Sequence, residues 1–438
     1  MTILYNNIMS VHNFIHFGCW NNLNKKSCLT KVMTKLKEYL DVSGTPEFMV
    51  IAGDNYYPDK SSIPVLDKDG NPIIGEDGKP TKTKTKIIKQ SFLRAGFDLL
   101  PDIPINMILG NHDLETNTKK QNLFIETDNA PEGKDCFIIQ KEIESIKPNV
   151  DFSLFKSHRV NSTTLWLMID TSMYSDDIIK YLTCYNTFFK KKGQPTFSNE
   201  RDLVDFQNRQ IIQAITANMD GLKHIIISGH HPIIGVKYDS EPDDLKKPNP
   251  EILNDIPDFK PILKQIYELT KHNDLTYYYL CADLHLYQHG LIQLTTDNGD
   301  IMKITQYVVG TGGTKLDDAL PESILMDSVF EDNGIKYILQ DCRQKCGFLE
   351  CIVKDDDSEP LFRFMDADEP ISIKPISIKP ISIKKTSSIK KTISIKKTSS
   401  GKRTHKKQTH LTTKRHQPYK TTKKHQTKSR TRTHKKKV

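Results

Sequence analysis

The 438-residue sequence lacks any long apolar stretch, and no run of about 18 apolar residues occurs in it. A transmembrane helix is therefore not expected. The first residues also lack the basic start and the continuous apolar core of a secretory signal peptide. Together these absences predict a protein that neither spans a membrane nor is secreted.

A disulfide framework is also missing from the pattern of the eight cysteines, which are scattered along the chain. The simplest interpretation is a reducing, intracellular and cytoplasmic location. The abundance of Asn, Ile and Lys is typical of AT-rich genomes, including those of large DNA viruses, so a viral protein in the host cytoplasm or the virion is compatible with it. The grouping of Cys342, Cys346 and Cys351 suggests a zinc site as an alternative, but a fourth ligand is missing and residues 347–353 have the pattern of a strand.

Acidic residues are absent from residues 371–438, which contain 23 Lys and Arg. The preceding part of the chain carries 40 basic against 54 acidic side chains. The pentapeptide Pro-Ile-Ser-Ile-Lys occurs three times from Pro370 to Lys384 and then gives way to sequence rich in Lys, Ser and Thr. Such low-complexity sequence cannot bury enough apolar surface to fold.

This composition predicts a folded domain at residues 1–369 and a disordered basic tail at residues 370–438. The charge of the tail suits nucleic acid or another acidic partner. The alternative is a repeat expansion without a partner. Within the domain, residues 58–89 are turn-rich and charged, which predicts a surface insertion or, less simply, a calcium loop.

Four apolar runs each end in a small residue that is followed by Asp, Asn or His. They lie at residues 49–57, 103–114, 225–232 and 278–285. Any one of them could be a solvated Asx-type turn. Four such strand ends favour a metal site, because ligands bind beyond the carboxyl ends of strands in open α/β sheets. Carboxylate, amide and imidazole ligands suit Mn, Fe, Zn or Ni.

The order of these motifs resembles the calcineurin-like metallophosphoesterases, and among them the purple (tartrate-resistant) acid phosphatases. The matching motifs are Gly-Asp-Asn-Tyr-Tyr at 53–57, Gly-Asn-His-Asp at 110–113, Gly-His-His-Pro at 229–232 and Cys-Ala-Asp-Leu-His at 281–285. Supporting matches lie at 167–171 and 307–313. The resemblance implies a four-layer α/β/β/α sandwich and an acid phosphatase-like enzyme that hydrolyses a phosphate ester.

The resemblance also implies a site for two divalent or trivalent transition metal ions, of which the ligands would be Cys19, Asp54, Tyr57, Asn111, His230, Asp283 and His285. The Asp54 carboxylate would bridge the two ions. Cys19, Tyr57 and His285 would complete the first position. Asn111, His230 and Asp283 would complete the second.

Two of these residues depart from the family pattern, which has Asp in place of Cys19 and His in place of Asp283. Thiolate and carboxylate can both bind a transition metal, so we expect a rewired site rather than an inactive one. The alternatives are that Cys19 is only a small buried residue and that Tyr57 is only a core or rim aromatic. His16 is a second candidate ligand for the first ion.

Three further residues, His112, Asp113 and His231, are implied to be catalytic. His112 would stabilise the transition state or protonate the leaving oxygen, and Asp113 would orient it. His231 would contact the phosphate, or alternatively only pack against Pro232. The implied reaction is direct attack on phosphorus by a hydroxide held between the two metals. The other candidate function is a weakened phosphate- or nucleotide-binding protein whose tail binds the partner.

Overall fold

The computed structural model of the protein describes residues 10–22, 27–57, 71, 73–75, 78, 89, 91–114, 143–176, 178–179, 182, 185–186, 195–239, 249–325, 328–356 and 358–371. These residues all belong to one compact unit, residues 1–375. The predicted insertion at 58–89 and the predicted tail lie almost entirely outside the described residues. The proposed boundary at residue 369 therefore stays a prediction.

The described part of the chain forms two large β-sheets and one short hairpin. The strands are β1 Val11–Phe17, β2 Phe48–Ala52, β3 Ile105–Ile108, β4 Val150–Asp151, β5 Phe155–Arg159, β6 Thr164–Ile169, β7 His224–Ser228, β8 Gly235–Asp239, β9 Asn249–Leu253, β10 Thr276–Cys281, β11 Tyr287–Thr295, β12 Ile301–Val309, β13 Val329–Asp332, β14 Ile335–Arg343, β15 Gly347–Lys354 and β16 Leu361–Asp366. The first sheet has the order β16-β15-β1-β2-β3-β4, and the second has the order β13-β14-β11-β12-β10-β7-β6-β5. Strands β8 and β9 pair with each other.

The described α-helices are α1 Leu29–Ser43, α2 Asn111–Leu114, α3 Glu200–Ala217, α4 Lys260–Thr270 and α5 Glu322–Leu325. The sequence predicts amphipathic helices at 29–40 and 203–219 from the helical spacing of their apolar residues, and a further helix at 259–271. All three are confirmed. The Asn199 side chain accepts a hydrogen bond from the backbone N–H of Asp202, which explains why α3 begins earlier than predicted. No described helix is both long enough and apolar enough to cross a membrane.

The two sheets pack face to face through aromatic side chains. Phe14 of β1 stacks on Phe48 of β2 at 4.7 Å between ring centroids, and Phe48 lies 4.8 Å from Trp166 in the second sheet. Helix α1 covers the outer face of the first sheet, where Tyr39 contacts Phe348. Helices α3 and α4 lie against the second sheet. The predicted four-layer α/β/β/α sandwich is confirmed.

Parallel pairing places the predicted ligand turns at one edge of the sandwich. Strands β1, β2 and β3 are parallel neighbours in the first sheet. Strands β6, β7, β10 and β12 are parallel neighbours in the second. Because parallel strands share the direction of their carboxyl ends, the turns after β1, β2, β3, β7 and β10 meet at that edge.

The expectation of cysteines without a disulfide framework is corrected by a disulfide between Cys28 and Cys346, which are 318 residues apart. Cys28 precedes α1, and Cys346 precedes β15, the antiparallel neighbour of β1. Spacing along the chain could not reveal this pair, because only the pairing of β1 with β15 brings the two ends of the domain together. The disulfide also argues against the alternative zinc site at Cys342, Cys346 and Cys351. Cys346 is bonded to Cys28, and Cys351 is buried in the core.

Candidate metal centre

Three of the predicted ligands occupy the same unusual backbone position. Cys19, Asp54 and Asp283 each lie two residues beyond the end of a strand, and their φ angles are 51°, 51° and 57°. Residues other than glycine rarely adopt this left-handed backbone conformation, because it costs about 1 kcal/mol or more per residue. The turns after β1, β2 and β10 therefore share one strained geometry, and it points three ligand-type side chains toward one place.

The Asp54 carboxylate lies between two groups of donor atoms. Its Oδ2 accepts a hydrogen bond from the Tyr57 hydroxyl at 2.8 Å and lies 3.6 Å from the Cys19 Sγ. Its Oδ1 accepts from the backbone N–H of His112 at 3.1 Å and lies 3.4 Å from the His230 Nε2. The side chain is fully buried. Asp54 thus presents one oxygen to each group.

The first group consists of Cys19, Asp54 and His285, whose ligand atoms lie within 4.8 Å of one another. The Tyr57 hydroxyl joins it at 3.2 Å from the His285 Nε2. The thiolate, carboxylate, imidazole and phenol oxygen of this set are all donors to transition metals.

The second group surrounds the Nε2 atom of His230. The Oδ1 atoms of Asn111 and Asp283 lie 3.3 and 3.4 Å from this nitrogen. His231 also belongs to this cluster, because its ring has a nitrogen within 4.8 Å of the ligand atoms of His230 and Asp283. The donor set is harder than that of the first group, with oxygen and nitrogen atoms and no sulfur. Both groups fit the metal ions that the motifs predict.

Two glycines are needed for the strand ends to come this close. A Cβ atom at Gly53 would overlap the His230 imidazole, and Gly53 itself has a φ of 84°. A Cβ atom at Gly110 would overlap the Asp54 carboxylate. The Gly-Asp and Gly-Asn steps of the motifs are therefore steric requirements of the cluster.

The buried charges of the cluster perturb one another strongly. Burial opposes a charge on His230, but the carboxylates of Asp54 and Asp283 raise the pKa of this imidazole to about 10. Burial, Asp54 and Asp283 together raise the pKa of the Cys19 thiol well above its usual value. A cation bound among these groups would favour the deprotonated forms of the imidazole and the thiol.

The Asp113 carboxylate joins two of the ligand turns. It accepts hydrogen bonds from the backbone N–H groups of Gly110, Asn55 and Tyr56 and from the Asn55 side chain, at 2.8 to 3.1 Å. Burial and the nearby Asp54 raise its pKa to about 6, against the effect of these donors. The predicted hydrogen bond to the His112 ring is not among its contacts with the described residues. In this structure Asp113 positions the turns after β2 and β3.

The His112 ring lies at the open side of the cluster. It packs on the Tyr57 ring at 4.8 Å between centroids, and Tyr57 also contacts the His285 ring at 6.0 Å. The side chains of Asp283 and His285 are 14% and 22% exposed, whereas His230 is fully buried. The cluster is therefore partly exposed to solvent at Asp283 and His285 and at the half-buried His112.

The structure brings together all seven predicted metal ligands and places His112 and His231 beside them. His16 lies apart from the cluster. It is fully buried in β1, its two ring nitrogens have no hydrogen-bond partner among the described residues, and burial lowers its pKa to about 3. Asn55 and Thr171 also hydrogen-bond to the ligand turns, a role that the motifs alone do not predict. Asn55 lies in the motif at 53–57 and Thr171 in the supporting match at 167–171, and this membership is a sequence feature that could have indicated them.

A family model described as calcineurin-like phosphoesterase matches residues 12–287. No curated protein sequence matches significantly. A solved structure described as PhoD is 13% identical, with 83% of this chain and 73% of that chain covered and a TM-score of 0.44. A second solved structure is 10% identical, with 82% and 100% covered and a TM-score of 0.32.

Proposed function

The chain belongs to the calcineurin-like phosphoesterase family, and we propose that it hydrolyses a phosphate ester at a site for two transition metal ions. The observation that carries this proposal is the position of Asp54, whose two oxygens face two separate donor groups. An anionic carboxylate in that position can hold two cations close together. A site for a single ion would not need ligand atoms on both sides of the Asp54 carboxylate.

The residues divide between the two positions by their contacts. Cys19, Tyr57 and His285 would hold the first ion together with Asp54. Asn111, His230 and Asp283 would hold the second. When bound, the two ions would supply an activated water and neutralise charge on the phosphoryl oxygens. Their identity is proposed only as Fe, Mn, Zn or Ni, with the sulfur of Cys19 favouring a thiophilic ion at the first position.

The protein's own groups complete the chemistry at the open side of the cluster. His112 lies beside the entrance, where its ring could donate a proton to the leaving oxygen or stabilise charge on the phosphoryl group. Packing on Tyr57 restricts the orientation of this ring. His231 faces the second position and would donate a hydrogen bond to the phosphoryl group. Asp113 supports His112 by fixing the turn that carries Asn111 and His112.

The purple acid phosphatase branch, and with it an acid phosphatase-like specificity, is part of this proposal. It is supported by Tyr57, which stands where that branch has its metal-binding tyrosine and whose hydroxyl contacts Asp54 and His285. The replacement of one Asp by Cys19 and of one His by Asp283 argues for a variant of that branch. Phosphomonoester, phosphoprotein, nucleotide and phosphodiester are all compatible substrates.

The decisive experiment measures metal content and hydrolysis of p-nitrophenyl phosphate in the full-length protein supplied with Mn, Fe, Zn or Ni. About two ions per chain and turnover that a chelator abolishes would support the proposal. One ion or none, with no turnover in any metal, would contradict it. In that case a phosphate- or nucleotide-binding protein becomes the better description.

A second proposal concerns residues 370–438, for which the sequence composition favours binding to an acidic partner such as nucleic acid. This binding should weaken steeply with salt and disappear when the chain is truncated after Glu369. Hydrolysis by the domain should survive that truncation. A truncated protein that still binds RNA or DNA with the same salt dependence would contradict this role for the tail.

A further inference from the structure

We infer that Thr171 is a positioning residue that fixes the adjacent histidines of the Gly-His-His-Pro turn in opposite tautomers. His230 then offers an electron pair to the site, and His231 offers an N–H group. This inference rests on the proposed function, because it assigns His230 to a metal ion and His231 to the phosphoryl group. It follows from the donor and acceptor capacity of the groups that contact each ring.

The tautomer of His230 is set by a backbone carbonyl. Its Nδ1 lies 2.7 Å from the carbonyl oxygen of Ala52, which can only accept a hydrogen bond. Nδ1 must therefore carry hydrogen. In the neutral ring the electron pair is on Nε2, the atom that the oxygens of Asp54, Asn111 and Asp283 surround at 3.3 to 3.4 Å. This is the arrangement that a metal-binding histidine requires.

The tautomer of His231 is set by the Thr171 hydroxyl. The Oγ1 of Thr171 accepts hydrogen bonds from the backbone N–H groups of His230 at 3.1 Å and His231 at 3.0 Å. These two bonds occupy both electron pairs of the oxygen. Its single hydrogen is left for the His231 Nδ1, which lies 2.9 Å away. Nδ1 of His231 is consequently an acceptor, and the ring hydrogen is on Nε2.

The surroundings hold this arrangement in place. Thr171 is fully buried and begins the 3₁₀ helix Thr171–Tyr174, which follows β6 after the N-cap residue Asp170. The Tyr279 hydroxyl donates to the backbone carbonyl of His231 at 2.7 Å, which fixes the turn from the other side. Thr171 and His231 are both buried.

Opposite tautomers give two identical side chains different chemistry. An N–H at Nε2 suits an anionic phosphoryl oxygen, whereas a metal ion requires the electron pair that His230 keeps on the same atom. His231 should therefore bind the phosphoryl group, although its ring lies close enough to His230 and Asp283 to be counted among the possible metal ligands.

The test is nitrogen NMR of full-length protein labelled with ¹⁵N-histidine, without metal and loaded with zinc. His231 is assigned by the resonance that disappears in His231→Asn. We expect protonated Nε2 and acceptor Nδ1 for His231, and the reverse for His230 in the zinc-loaded protein.

In Thr171→Val the tautomer preference of His231 should be lost, and the affinity for inorganic phosphate measured by calorimetry should fall about tenfold. Zinc content should be unchanged, and Thr171→Ser should restore both properties.

A His231 ring with its hydrogen on Nδ1 in the wild-type protein would overturn the inference. So would a Thr171→Val variant with unchanged tautomer and phosphate affinity, which would make Thr171 merely structural. If the valine variant does not fold, the wild-type spectrum decides alone. Failure of the proposed function is separately visible as absence of metal binding and turnover, because the tautomer of His231 can be read in the metal-free protein.

Discussion

The Sγ of Cys19 lies 3.6 Å from the Oδ2 of Asp54, and both residues have a φ of 51° at the same offset from the ends of adjacent parallel strands. The two turns are thus structurally equivalent, and they carry a sulfur and a carboxylate to the same point. With His285 they form a mixed sulfur, oxygen and nitrogen cluster. Cys19, one of the two residues that depart from the family pattern, therefore lies within a group of side chains that could hold a metal ion, which makes its chemistry directly testable.

Cys19→Asp should exchange a soft ligand for a hard one. In the wild-type protein loaded with Co²⁺, a thiolate-to-metal charge-transfer absorption is expected in the near ultraviolet. The variant should lose this absorption, keep its metal content and shift its preference from Zn²⁺ toward Mn²⁺. Cys342→Ser, at a buried cysteine outside the cluster, is the matched control. An unchanged absorption in Cys19→Asp would mean that Cys19 does not bind metal.

Asp54→Asn should disrupt both metal positions at once. It removes the negative charge that is shared by the two carboxylate oxygens, one of which faces each group. Metal content measured by elemental analysis should fall from about two ions per chain to one or none. Turnover should fall by about a thousandfold or more. Asp297→Asn, at an exposed carboxylate paired with Lys264, should change neither quantity. Retention of two ions in Asp54→Asn would contradict a bridging position.

His112→Ala should impair turnover without removing metal. Loss of a proton donor or charge-stabilising group typically lowers kcat by about a hundredfold to ten-thousandfold. Metal content and affinity for inorganic phosphate should change little, which separates this variant from Asp54→Asn. His272→Ala, at an exposed turn after α4, is the control. A fall in metal content equal to that in Asp54→Asn would instead make His112 a ligand.

The disulfide between Cys28 and Cys346 should stabilise the domain by about 2–4 kcal/mol. Its physical basis is the restriction of a very long loop in the unfolded chain. The double variant Cys28→Ala, Cys346→Ala should unfold at a lower urea midpoint than the wild-type protein. The midpoint of the control variant Cys342→Ala should lie much closer to that of the wild-type protein. A reductant should shift the midpoint of the wild-type protein but not that of the double variant. Equal midpoints for wild-type and double variant would show that no disulfide forms in the purified protein.

His12 should make stability depend on pH. Burial opposes its protonation, but Glu47 at 2.7 Å and Asp355 at 3.1 Å raise its pKa above the usual value. The folded state therefore binds the proton more tightly than the unfolded state, so the stabilisation is complete below the usual pKa and is lost as the pH rises through the raised pKa.

The measurement for His12 compares unfolding free energies of the wild-type protein and His12→Asn between about pH 5 and pH 9. The wild type should be more stable by about 0.5–1 kcal/mol at the acidic end, because the pair is partly exposed. The difference should shrink toward the alkaline end. A difference that grows with pH would contradict the assignment.

The sequence by itself determined the main elements and the chemical type of the site. Apolar runs that end in glycine or alanine and then Asp, Asn or His marked β2, β3, β7 and β10, because a buried strand must stop where polar ligands begin. Helical spacing of apolar residues marked α1, α3 and α4. The motifs at 53–57, 110–113 and 229–232 were sufficient for the family, since each combines a ligand with the glycine that lets the next turn approach.

Only the tertiary structure decided the relations between residues that are distant in sequence. It paired Cys28 with Cys346, left His16 in the core and assigned Asp113 to Asn55 rather than to His112. It also placed Thr171 between the two histidines of a turn some 60 residues away. The physical reason is that a hydrogen bond, a disulfide or a metal cluster depends on positions in space, and these are set by strand order and sheet packing. These positions in space cannot be predicted from local composition.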